Sequence, residues 1–160
     1  MSRSQKNRKL HIDRNKTAVC HLAVMTRLMA AKIEREPLRS TEVDRLEMPV
    51  LSAIDAIEKG RGTPENWDVL ARTLNQAWVF ATGGGIGEEA KPYLVVALDG
   101  MRAVKQRFLD TGAMALDALE LEAVRSALEM WREQLKLATL GELHTASDVA
   151  HKYIYQKEAA

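Results

Sequence analysis

Cysteine occurs once, at Cys20, in a chain of 160 residues. A single thiol excludes an internal disulfide, so the fold needs no oxidising compartment. Aromatic residues are scarce, at 5%. Ala, Leu, Glu and Met are plentiful instead, a composition that favours helix over sheet. Long apolar runs are missing too. The run Leu94 to Leu98 stops at Asp99, whereas a membrane-spanning helix needs about 20 such residues. The segment after the basic N-terminus is interrupted by His21, Arg27 and Lys32, which reads against a signal peptide. The expected location is the cytoplasm, with no membrane partner. No window of four to eight residues alternates at period two, so no strand is expected.

What is present describes one globular domain. Hydrophobic residues make up 46% and charged residues 28%, enough apolar material for a core and too much for wholesale disorder. The formal net charge is +1, but it is unevenly placed. Residues 1–16 hold Arg3, Lys6, Arg8, Lys9, Arg14 and Lys16 against Asp13 alone, a local charge of +5 that leaves −4 on the rest. Residues 1–16 lack apolar periodicity and are read as a flexible basic arm, residues 17–160 as the helical domain. Such an arm can touch nucleic acid or an acidic protein surface. It carries no aromatic residue for stacking on bases.

Apolar spacing then defines the helices. Leu22, Met25, Met29 and Ile33 mark a first one over 17–36, ended by Pro37. Residues 38–48 read as a connector, with Pro49 opening a second helix along Val50, Ile54 and Ile57; the alternative is a helix running from Ser40 that Pro49 kinks. Thr63, Pro64, Glu65 and Asp68 give a third its cap and acidic first turn. Its stripe is Trp67, Leu70, Ala71, Leu74, Trp78 and Ala81. A fourth follows Pro92 along Leu94, Ala97, Leu98, Met101, Val104 and Phe108. Gly100 weakens it but lets a neighbour approach, and Thr111-Gly112 closes it. In the fifth, Asp117 and Glu120 form a capping box. Leu121, Val124, Leu128, Trp131, Leu135 and Ala138 then make a seam of period 3.5, suited to a partner helix in the same chain or in a second copy. Gly141 is expected to interrupt it before a helical stretch over 146–156. The expected fold is an all-α bundle of four to five main helices.

Three features invite a chemical reading. The stretch ATGGGIGEEAKP, residues 81–92, crowds Gly83, Gly84, Gly85 and Gly87 together. A P-loop needs Gly-Lys-Ser/Thr, which occurs nowhere in the chain. A dinucleotide turn needs a preceding strand and an anion site, but an in-phase helix precedes this turn and Glu88 and Glu89 occupy that site. It reads as a helix C-cap and joint whose acidic turn could meet a basic partner surface. Next, His144, Asp148 and His151 share one face of a helix, at a spacing that can ligate zinc or iron. Three groups fall short of a closed four-ligand set, and Cys20-His21 would have to complete it. Finally, Cys20 and His21 as neighbours on a helix point about 100° apart, so they form no dyad. No catalytic constellation is visible, and no cofactor is expected. Trp67, Trp78 and Trp131 all lie on apolar stripes and are expected in the core. Trp131, on the seam, is the candidate anchor for a partner protein.

Residues 45–145 resemble a set of small helical proteins of proteobacterial phages, prophages and plasmids. The likeness is carried by Leu70, Leu74-Asn75, Ala77, Gly85-Ile86-Gly87, Arg107, Thr111-Gly112, Leu119, Leu128, Gln134-Leu135 and Ala138-Thr139. It implies a mobile-element origin and transfers no site residue. Three expectations follow. The first is a non-enzymatic accessory protein that binds a host or mobile-element protein through Trp131, Glu88 and Glu89, for example to inhibit a host defence or regulatory complex, with a homodimer through the 121–138 helix as a further option. The second is a nucleic-acid-binding regulator using the arm from Arg3 to Lys16. The third is a metal protein built on His144, Asp148 and His151.

Overall fold

The computed structural model describes residues 25–155. The basic arm (Arg3, Lys6, Arg8, Lys9, Arg14, Lys16), Cys20 and His21 lie outside the described residues. The chain divides into two units, Met1–Glu36 and Pro37–Ala160. In the first, residues 25–34 form helix α1. Arg35 N–H and Glu36 N–H close its last turn on the carbonyls of Lys32 and Ile33, at 3.1 and 3.0 Å. Its apolar residues Met25, Leu28, Met29 and Ile33 are exposed.

The second unit contains α2 (Ser40–Glu58), α3 (Pro64–Thr82), a 3₁₀ turn (Glu88–Ala90), α4 (Lys91–Thr111), α5 (Ala118–Leu137) and α6 (Leu140–Tyr155). The described residues form no strand, and the protein is all-α. Among them, no helix is long and apolar enough to cross a membrane.

The arrangement centres on α3, which packs against α2, α4, α5 and α6. Its sequence explains this position. Leu70, Ala71, Thr73, Leu74, Ala77, Phe80 and Ala81 are all buried. They cover far more than one stripe, as a helix with neighbours on several sides requires. Alanine at positions 71, 77 and 81 adds little bulk to this face, and Leu74 and Phe80 are fully buried in the core. Thr63 supplies the expected N-cap. Its Oγ1 accepts from Asn66 N–H at 3.4 Å, and Asn66 Oδ1 accepts from Thr63 N–H at 3.0 Å.

Two expected boundaries are corrected. Pro49 does not open α2 but lies inside it, nine residues after Ser40. The missing proline N–H removes one bond to the Arg45 carbonyl. The helix continues because Val43, Val50, Ala53, Ile54 and Ile57 are buried on one stripe that spans the proline. The start at Ser40 is fixed by Glu42, whose carboxylate accepts from Arg39 N–H at 2.8 Å. Likewise, Gly141 does not interrupt the last helical stretch. The break falls at Ala138, whose backbone is extended, and Gly141 belongs to α6. Thr139 caps α6: its N–H donates to Glu142 Oε2 at 2.8 Å, and its Oγ1 accepts from Glu142 N–H at 3.3 Å. The same junction is tied to the start of α2 by Leu38 N–H donating to the Ala138 carbonyl at 3.2 Å.

The close approach expected at Gly100 is present. A Cβ there would lie 3.4 Å from Cβ and Cγ of Glu120 on α5. Glu120 also completes the capping box with Asp117, through two bonds of 2.8 Å. It further holds Arg107 of α4, with Nη2 to Oε1 at 3.0 Å. The second guanidinium nitrogen donates to the Ala115 carbonyl as well. Glu120's hydrogen bond makes Arg107 more basic than usual, against a smaller opposing effect of burial.

Candidate functional site

The glycine stretch is the natural place to look for a site, and its backbone is committed to structure. Gly83 and Gly84 N–H both donate to the Val79 carbonyl, at 2.8 and 3.2 Å. Ile86 N–H donates to Phe80 at 3.0 Å, and Ala90 N–H to Gly87 at 3.0 Å. Gly85 and Gly87 adopt φ of +65° and +68°, the left-handed region that glycine enters without cost. The joint is pinned from below by Gln134 of α5, which is 2% exposed. Its Nε2 donates to the carbonyls of Ile86, at 2.8 Å, and Ala77, at 3.2 Å. A Cβ on Gly87 would lie 3.0 Å from Gln134 Cγ. Glu88 and Glu89 are exposed, with Lys91 Nζ 3.5 Å from Glu88 Oε2.

The other residues singled out in the sequence disperse. Trp131 is only 3% exposed, and its indole N–H donates to Gln76 Oε1 at 2.7 Å. It is a core residue and offers almost no surface to a partner, which corrects its reading as an anchor. The rest of its seam is spent within the chain as well. Val124, Leu128, Leu135 and Ala138 are buried, because α5 faces α2, α3 and α4. A homodimer through the 121–138 seam would need this face twice. His144, Asp148 and His151 are all exposed on α6. Among the described residues, no three His, Cys, Asp or Glu side chains are grouped to hold a metal ion.

The concave surfaces among the described residues include two that were not foreseen from the sequence. The first, about 320 Å³, lies between α2 and α5 over Val50, Leu51, Ile54, Leu128 and the edge of Trp131. Ion pairs between the two helices cross it: Arg125 with Glu58, and Arg132 with Glu47 at 3.1 Å. Asp55, also on its rim, is held below the usual carboxylate range, chiefly by its hydrogen bond to Lys59. Its charges are largely answered within the protein.

The second is larger, about 510 Å³, and is formed where α3, α4 and α6 meet. Trp67, Trp78, Tyr153, Val95, Leu98, Met101 and Ile154 supply an apolar and aromatic surface. Arg102 and Lys105, one turn apart on α4, supply the charge among the described residues that line it. Trp67 is held in place from behind by its indole N–H, which donates to the Met101 carbonyl at 2.8 Å. Lys105 Nζ sits 5.4 Å from the Trp67 ring centroid, within reach of a cation–π contact. Tyr153 and Val95 are 52% and 45% exposed, so this apolar surface is open to a ligand. The stripes that carry Trp67 and Trp78 were legible in the sequence. Their meeting with Tyr153, 86 and 75 residues further along the chain, was not.

Compared with protein-family models, curated proteins and solved structures, the chain matches none. The class that the described residues define is therefore an all-α protein bearing a cation-rimmed aromatic groove.

Proposed function

We propose that this is a non-enzymatic accessory protein of a mobile element, acting by binding a host or mobile-element protein and thereby modulating a defence or regulatory complex. The observation that carries the reading is the groove between α3, α4 and α6. Trp, Tyr and Arg are the residue types that dominate binding energy at protein interfaces, and here Trp67, Trp78, Tyr153 and Arg102 share one concavity. Trp67 is already oriented by a backbone hydrogen bond, so part of the ordering cost of binding is met before the partner arrives. The mobile-element origin rests on the sequence resemblance over residues 45–145. Of the residues first considered for the interface, Glu88 and Glu89 remain exposed and Trp131 drops out.

The test is a photo-crosslinker placed at Tyr153 of the full-length protein, expressed in a proteobacterial host. One protein crosslinked in stoichiometric yield, and lost with Trp78→Ala, is the expected result. Crosslinks to nucleic acid alone would overturn it.

A second reading rests on the arm, with its net +5 over residues 1–16. An arm of this kind binds phosphate, so affinity for DNA or RNA should fall steeply with salt. Gel shifts that are unchanged by deleting residues 1–16 would remove this reading.

A further inference from the structure

We infer that helix α1, together with the basic residues of its unit, binds the surface of an anionic phospholipid membrane, with Met25, Leu28, Met29 and Ile33 seated among the acyl chains and the cations against the headgroups. The inference goes beyond the groove and does not depend on it.

The apolar side of α1 is laid out in its sequence. Met25, Leu28, Met29 and Ile33 recur at spacings of three and four over residues 25–34, which gathers them on one side of a helix. All four are open, at 42%, 59%, 61% and 53% exposure. By the same helical spacing, Arg27 and Glu34 fall on the opposite side. Lys32 falls within the apolar arc, where its long stem can lie along acyl chains and carry the ammonium up to the headgroups. The face is aliphatic and rich in methionine, and residues 1–36 contain no aromatic residue. Protein interfaces draw most of their energy from Trp, Tyr and Arg anchors set in pockets. Flexible methionine side chains suit a surface without fixed pockets.

Charge names the kind of surface. Residues 1–36 hold nine basic residues against three acidic, a formal +6, while residues 37–160 carry −5. Two copies meeting through α1 would bring +6 against +6, which opposes self-association. Nucleic acid offers phosphate to the cations but little apolar surface to receive four aliphatic side chains. An anionic membrane supplies both, an apolar interior beneath a negative headgroup layer. A single such signal gives marginal, reversible binding, and two together give stable attachment. The expectation of no membrane partner followed from the lack of a spanning run. That criterion does not bear on a helix lying in the plane of the surface.

The test is flotation of the full-length protein with vesicles of phosphatidylcholine alone and of phosphatidylcholine mixed with phosphatidylserine. Binding to the mixed vesicles should be at least about tenfold tighter. It should weaken as salt rises but persist, because salt screens the charges and leaves the apolar contact. Leu28→Gln with Met29→Gln keeps every charge and should weaken binding to the mixed vesicles by about tenfold or more. Both positions are exposed, so the Tm should match that of the wild type, and Ile33→Gln should act in the same direction. Deleting residues 1–16 should shrink the preference for the mixed vesicles. Equal affinity for the two kinds of vesicle, wild-type vesicle binding by the Leu28/Met29 double variant, or no vesicle binding at all would each overturn the inference. Binding to duplex DNA in place of vesicles, unchanged in the double variant, would overturn it too and assign the cations to nucleic acid. The Tyr153 crosslink tests the protein-binding reading separately.

Discussion

At the residue scale, Gln134 is the least conspicuous important side chain in the molecule. Its amide joins α5 to the end of α3 and to the glycine joint through two backbone carbonyls, while its Oε1 has no hydrogen-bond partner among the described residues. Gln134→Ala should cost about 1–3 kcal/mol, the usual penalty for stranding buried polar groups. Gly87→Ala should cost a similar ~1–2 kcal/mol for the left-handed backbone, plus the clash with Gln134. Together the two changes should cost less than the sum, because removing the glutamine relieves the clash. Urea denaturation of the four proteins in the cycle measures this, and strict additivity would show that the contact is unimportant. Ionisation is also tuned at single residues. Asp55 is depressed chiefly by Lys59, and Glu65 chiefly by its hydrogen bond with Thr63. A carboxylate with a lowered folded-state pKa stabilises the fold above its unfolded value and loses that contribution as pH falls through the folded one. Both contributions should therefore be intact at neutral pH and fade only in acid, below the ordinary 3.8 and 4.5 of the two groups. NMR titration of the two carboxyls would show midpoints at or above those values if the pairing were absent in solution.

At the scale of elements, the helix starts were the most legible feature. Thr63 and Asp117 were found from their own side chains, because a cap is a local interaction read over four residues. The same signal stands at Thr139-Leu140-Gly141-Glu142, but Gly141 within it is a helix-breaking residue, so the local pattern is ambiguous there. Pro49 was misplaced for a different reason: local preference puts proline at a helix start, and only the burial of Val43 on the same side as Val50 shows that the helix begins earlier. Two measurements follow. Glu120→Ala should destabilise by about 2 kcal/mol, since it removes both a cap bond and the half-buried pair with Arg107, whereas Thr63→Ala should cost about 1 kcal/mol. Equal losses would mean that the Arg107 pair contributes nothing. Pro49→Ala should raise stability by on the order of 1 kcal/mol, by restoring an N–H donor within an exposed stretch of helix. A loss would show that the proline is needed for α2 to pack against α5.

At the scale of the whole molecule, the seam of α5 has an intramolecular role. Leu128→Asp should unfold the protein, with a fall in Tm, rather than dissociate a dimer. Sedimentation velocity on the folded wild type alongside the thermal melt separates the two outcomes. The tryptophans offer a second check: iodide should quench Trp67 and Trp78 of the groove and leave Trp131 largely protected. Uniform quenching would contradict the buried position of Trp131.

The sequence by itself determined the helical class, the caps at Thr63 and Asp117, the glycine joint and the seam, because each depends on neighbours within about one or two turns. It could not say which face of the seam would be covered from within the chain, nor that Gln134 would hold Gly87, nor that Trp67, Trp78 and Tyr153 would share a groove with Arg102 and Lys105. Those facts depend on how α3, at the centre, divides its surface among four neighbours. That division is set by complementary packing across the whole core, and no local pattern encodes it.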